Sequence, residues 1–293
     1  MSQVPLFIFV EGFRDRYFYS QVANAVCQNR GISFELVTAE ELQGQGGGKT
    51  VLLEYFQLLR KRTSLIDRFK GKTTASIFFL DKDIDDFLRK KRRSLHVVYT
   101  DTYELENYFF IHGNLIQAVS SAASLDIGSV QAGLVERNAW RQHAASCWKE
   151  WVKLCLFAET RCLCSSPYYS RPKSQINDRV SGQLDAHKYG KHLNSVQNEA
   201  GMRDKQFKRS FTRLSKKVDR LYTTEQYDKI FKGKWYCCFL SEDVKRIAKR
   251  RRINSKGLSE RIVNNLQLTL NFGDSWAEHF RGPIRHLLTQ AGL

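Results

Sequence analysis

Two short tracts constrain this chain more than anything else in it. Phe7 to Gly12 reads FIFVEG and Phe78 to Asp83 reads FFLDKD, and each is a run of consecutive apolar residues that ends abruptly in carboxylates. An unalternated apolar run of strand length is a strand buried on both faces. Each tract therefore predicts a central strand, Leu6 to Val10 and Ile77 to Leu80, with acid just past its carboxyl end. Two further strands are predicted at Ile32 to Val37 (ISFELV) and Leu95 to Tyr99 (LHVVY). After a tight turn at Glu11-Gly12 a helical pattern runs through Cys27, and another runs from Val51 to about Arg62. Strands alternating with helices predict an α/β fold with a parallel sheet covered on both faces. In such a sheet the residues beyond the carboxyl ends of the strands converge on one edge, where ligands bind.

Glu11, Asp81 and Asp83 would then share a small region. Like charges held together raise one another's pKa unless a cation compensates them. Hard oxygen donors of this kind suit Mg²⁺ or Mn²⁺. Each also has an ordinary reading: Glu11 as a solvated turn residue, Asp83 as a helix N-cap, Asp85 and Asp86 as complements to a helix dipole. Asp101 and Glu104 have capping-box spacing and read as structural.

Beyond Tyr99 the pattern turns to longer helices with basic faces, for instance Gln206 to Tyr222 and Ser241 to Arg252. Turn chemistry marks Ser165 to Ile176 and Gly182 to Gly190 as loops, and Cys237-Cys238 lies in an aromatic, strand-like run. The expected division is a first domain over 1–118 and a mostly helical, basic domain over 119–293. Charge follows the same split. The first 120 residues hold 16 Lys and Arg against 14 Asp and Glu, whereas residues 121–293 hold 31 against 16. A near-neutral module beside a basic one suggests a polyanion partner, nucleic acid first. The basic tracts Arg89, Lys90, Lys91, Arg92, Arg93 and Lys245, Lys249, Arg250, Arg252 are candidate phosphate contacts, with Tyr168, Tyr169 and the Trp residues as stacking faces. No apolar run approaches a membrane span, and seven Cys is an odd number that fits free thiols, so a cytoplasmic chain with no membrane partner is expected.

GGGKT at Gly46 to Thr50 looks like a nucleotide-binding P-loop, but Gln43 stands where that pattern needs Gly, which argues against nucleotide hydrolysis. Lys49 still offers a phosphate contact. Cys162, Cys164, Cys155, Cys147 and His143 lack the paired C-x₂-C spacing of a zinc site.

The order FIFVEG, glycine-rich loop (Gln43 to Thr50), FFLDKD resembles the Toprim domain over about the first 110 residues. That metal-binding module is shared by topoisomerases, DnaG-type primases, small maturation nucleases and OLD-family nucleases. The resemblance implies that Glu11 serves acid/base chemistry and metal binding while Asp81 and Asp83 hold Mg²⁺. Asp15 resembles the extra acidic position of the OLD-like branch. The tract ELENYF, with Glu106 as a candidate for a second metal, and KGKWYCCFL at Lys232 to Leu240 resemble stand-alone OLD-like Toprim proteins. Among those are effector nucleases of the PARIS anti-phage defence system. That likeness implies a toxic Mg²⁺-dependent endonuclease restrained by an ATPase partner of ABC/OLD type and active as a homodimer. Structured RNA such as transfer RNA is the favoured substrate, with DNA possible. The alternatives are a non-catalytic nucleic-acid-binding or assembly subunit and a housekeeping RNA-maturation nuclease.

Overall fold

The computed structural model describes residues 5–43, 48–134, 137–163, 169, 176–177, 183–248, 254 and 256–293. The chain forms two compact units. The first comprises Met1–Lys82, Lys91–Asp101 and Asn271–Leu293; the second comprises Asp83–Lys90 and Thr102–Leu270. The division thus differs from the expected boundary at residue 118, because the carboxyl-terminal segment returns to the first unit.

The first unit is built on five strands: β1 (Leu6–Val10), β2 (Phe34–Thr38), β3 (Ile66–Phe69), β4 (Lys72–Leu80) and β5 (Val97–Tyr99). β1 lies between β2 and β4 and is parallel to both, with Leu6 opposite Phe34 on one side and Ala75 on the other. β5 runs parallel to β4, with Leu80 opposite Tyr99, while β3 is antiparallel to it. The predicted parallel sheet is present, and β3 is an addition to it. It arises from a tight hairpin at Lys70-Gly71, where both residues adopt positive φ (49° and 74°), the conformation two-residue hairpin loops need.

Both sheet faces are covered by helices. On one, Phe9 stacks on Phe78 at 4.5 Å, and Leu52 and Phe56 of the helix Lys49–Lys61 close over them. On the other, Tyr19 stacks on Phe79 at 4.5 Å, and Phe280 packs edge-on to Phe18 and Tyr19. The covering helices there are Asp15–Cys27 and Glu278–Ala291.

The second unit is helical around an aromatic core that includes Trp151, Trp235, Tyr236, Phe110 and Phe231. The run around Cys237-Cys238 is not a strand but part of the helix Gly233–Ala248. Its buried residues Trp235, Tyr236, Leu240 and Val244 recur at helical spacing, which outweighs a local composition rich in strand formers. Likewise Ala186–Glu199 is a helix, so of the expected loop at 182–190 only 183–185 are described as non-helical, and 182 lies outside the described residues. Asp185 caps it by accepting hydrogen bonds from the His187 and Lys188 N–H groups at 3.0 and 3.1 Å. Among the described residues no helix is long and apolar enough to cross a membrane.

Candidate active site

Glu11 is the first residue past β1 and Asp81 the first past β4, and these strands are neighbours. The Asp81 N–H donates to Glu11 Oε1 at 2.7 Å, fixing the glutamate across the carboxyl ends of the two strands. Lys82, between the two aspartates, turns inward. It is 2% exposed, its N–H donates to Thr100 Oγ1 at 2.9 Å, and its ammonium group donates to the Asp101 carbonyl. Burying an ammonium group is costly without such partners, and this one ties the end of β4 to the segment after β5.

Asp15 Oδ2 accepts from the Gly12 N–H at 3.0 Å, so this carboxylate stabilises the turn that carries Glu11. A carboxylate that sequence reading missed is Glu40, two residues past the end of β2. Its Oε2 is buried without a hydrogen-bond partner, and its Oε1 lies 3.6 Å from where a side chain on Gly12 would begin. The signal was present in the sequence, since Glu40 stands just beyond a strand end as Glu11 does. Its neighbour Glu41 has a structural task, accepting from the Thr38 N–H at 2.7 Å and pairing with Arg16. The Thr38 bond outweighs the opposing effect of burial and holds the Glu41 carboxyl below its ordinary value.

Asp83 begins the second unit. It is not an N-cap, a position taken by Ile84; it adopts φ 51° and donates its N–H to the Tyr103 carbonyl at 2.7 Å. Positive φ is uncommon outside glycine, and aspartate is among the residues that tolerate it. Asp101 and Glu104 form no capping box with each other. Glu104 is itself the N-cap of the helix Leu105–His112, paired reciprocally with Asn107. Glu104 is 2% exposed. It accepts from the Lys234 N–H at 2.7 Å, and the Lys234 ammonium group lies 3.4 Å from it and 3.3 Å from Glu106. Burial, reinforced by the Glu106 charge and opposed by Lys234 and Lys232, pushes the Glu104 carboxyl up to about 7. The same helix is fastened by Asn107, which donates to Asp228 Oδ1 at 2.9 Å; Asp228 also pairs with the buried Arg141.

The structure thus bonds the Glu11 carboxylate to the Asp81 backbone and ties Asp15 to the turn that carries Glu11. Among the described residues, no group of three or more His, Cys, Asp or Glu side chains is arranged to hold a metal ion. Mg²⁺ does not demand such a group, because it binds through one or two carboxylates together with waters and substrate phosphate oxygens. A pair of oxygen donors at adjacent strand ends, with the unpartnered Glu40 oxygen near the same turn, fits that chemistry.

The predicted phosphate contacts fare differently. Arg89 to Arg93 are all exposed; Arg89 and Lys90 belong to the second unit and the rest to the first. Lys91 lies over the Tyr99 ring at 5.1 Å, and Lys91, Arg92 and Arg93 border a groove of about 750 Å³ whose other wall includes Pro283 and His286. Lys49 opens the helix Lys49–Lys61. Lys245 is paired with Glu242 at 2.7 Å on an exposed face. Lys249, Arg250 and Arg252 lie outside the described residues, as do Tyr168 and 44–47 of the glycine-rich loop.

No protein-family model matches the chain, and none of the curated proteins matches it. What the site can do is therefore read from its residues and their geometry.

Proposed function

We propose that this chain is a metal-dependent phosphodiesterase that cleaves nucleic acid. The observation that carries the reading is the 2.7 Å bond from the Asp81 N–H to Glu11 Oε1, which sets two carboxylate residues side by side where parallel sheets bind ligands. Bound there, a divalent ion would supply positive charge to the scissile phosphate and acidify a water molecule. Glu11 and Asp81 would hold it, and Glu11, anchored from the Asp81 backbone, would take a proton from water. Asp15 keeps the Glu11 turn in place. Lys91, Arg92 and Arg93 are placed to attract the phosphate backbone.

The finer assignments rest on the Toprim resemblance. They are Asp83 and Glu106 as further ligands, structured RNA such as transfer RNA as substrate, an ABC/OLD-type ATPase as restraining partner, and a homodimer as the active form in anti-phage defence.

The test is cleavage of mixed RNA and DNA with Mg²⁺ or Mn²⁺, against the same reaction in EDTA. Glu11→Gln and Asp81→Asn should each lower the rate by roughly 100-fold or more, as removal of a general base or its metal support does. Equal cleavage by native and variant chains overturns the proposal. Nucleic-acid binding without cleavage by any of them favours the non-catalytic binding subunit.

A further inference from the structure

The helix Asp204–Thr223 carries the most one-sided charge of the described elements. It holds seven basic residues against two acidic ones. Lys205, Arg209, Arg213 and Lys217 recur every fourth residue, and Lys208, Lys216 and Arg220 form an adjacent row. At helical rise each row extends about 18 Å, with steps of roughly 6 Å between fourth neighbours. All seven are exposed. Arg161, from the end of the neighbouring helix, extends the face and donates to Ser210 Oγ at 2.7 Å.

The opposite side of this helix is occupied by its own unit. Phe207 and Val218 are buried, Phe207 and Phe211 pack on Phe157 at 5.2 and 5.5 Å, and the Tyr222 hydroxyl donates to the Ala145 carbonyl. The acidic residues offset little of the outer charge. Among the described residues Asp219 pairs with Lys149 and Lys153, off the basic rows, at 2.7 and 3.0 Å, and Asp204 pairs with one outer cation, Lys208, at 2.9 Å.

We infer that this helix is a docking face for the phosphate backbone of a nucleic-acid double helix, read by shape and charge and not by sequence. The inference rests on the nucleic-acid reading above and adds the form of the partner. Three features select it. The cations are strung along a line and converge on no point, which suits a polyanion and not a single small phosphate. Single-strand sites stack bases on aromatic side chains, whereas the aromatic rings of this helix face inward. A membrane-surface helix must place its apolar face in lipid, and here that face is committed to the protein core. The shallow hollow of about 520 Å³ between the rows is bordered by Lys208, Arg209, Thr212, Arg213, Lys216 and Lys217.

The experiment is fluorescence anisotropy of the full chain in EDTA, where binding is read without cleavage, against short RNA and DNA duplexes over a salt series. The variant carrying Lys208→Gln, Arg209→Gln, Lys216→Gln and Lys217→Gln should bind duplex at least about 30-fold more weakly near 0.1 M salt, with the log–log salt slope reduced by roughly 3 to 4. The charge-conserving set Lys208→Arg, Lys216→Arg and Lys217→Arg should bind as the native chain does. Circular dichroism of both sets shows whether the fold persists, and the conservative set guards against a folding artefact. Three results overturn the inference: an unchanged affinity and slope in the neutralised variant, single strands binding as tightly as duplexes, or phosphatidylserine vesicles binding in place of duplex. The two proposals fail separately. Duplex binding that Glu11→Gln leaves intact, with no cleavage by any chain, removes the nuclease and keeps the docking face; cleavage with a neutralised helix that binds normally does the reverse.

Discussion

Glu104 and Glu40 are two acids whose surroundings differ: the first is capped and paired, the second holds a buried oxygen without a hydrogen-bond partner. Glu104 is buried at a helix start and pushed up to about 7 from an ordinary value of 4.5, so folding favours its protonated form. Its stabilisation is complete below about pH 4.5 and is lost as pH rises through about 7, on the order of 3 kcal/mol across that window. Denaturant unfolding between pH 4.5 and 8 should therefore show stability falling as pH rises, and Glu104→Gln should flatten the curve. A native chain whose stability is level over that range contradicts the assignment. Glu40 predicts something different: with its Oε2 unpartnered near the Glu11 turn, Glu40→Gln should leave stability nearly unchanged and raise the Mg²⁺ concentration needed for half-maximal cleavage severalfold. A metal titration of the two chains measures this directly. FIFVEG and FFLDKD made Glu11 and Asp81 legible, because an apolar strand stops at each. Glu40 was harder to see, since β2 alternates with exposed Glu35 and its end is not marked by a contiguous apolar run.

At the level of elements, the strand-to-helix alternation of the first unit could be read directly, while the helix Gly233–Ala248 could not. Its amino-terminal half is dense in aromatic and Cys residues that favour strands locally, and only the later Leu240 and Val244 complete a helical period. What fixes this helix is a close approach no periodicity reveals. A Cβ on Gly233 would stand 2.5 Å from the Asn107 backbone nitrogen, inside contact distance and against an atom that cannot move aside. Gly233→Ala should destabilise the fold by about 1–3 kcal/mol, the usual range for forcing extra atoms into a packed site. Because Lys234 follows immediately, the same change should disturb the Glu104 pairing. Urea unfolding at fixed pH gives the first quantity, and a normal midpoint for Gly233→Ala would refute the close contact.

For the whole molecule, the decisive fact is that the first unit is discontinuous. The sheet begins with Leu6, yet one of its faces is finished by Glu278–Ala291, and Phe280 is fully buried against Phe18, Tyr19 and Phe79. A second tie is polar: His279 Nε2 lies 2.7 Å from the Tyr99 carbonyl, and its Nδ1 is 3.3 Å from Asp101. Sequence patterns are local, so an amphipathic helix at the chain's end does not announce which distant surface it covers; that is why a boundary near residue 118 looked sufficient. The return makes a sharp prediction. Phe280→Ala should cost about 3–5 kcal/mol, as emptying a buried aromatic site does. Its effect should appear first in the amino-terminal half of the chain. Hydrogen exchange read by peptide should show β1, β4 and the helix Asp15–Cys27 losing protection together while the helix Asp204–Thr223 keeps its own. Loss confined to peptides of the carboxyl-terminal helix would mean that the sheet does not depend on it.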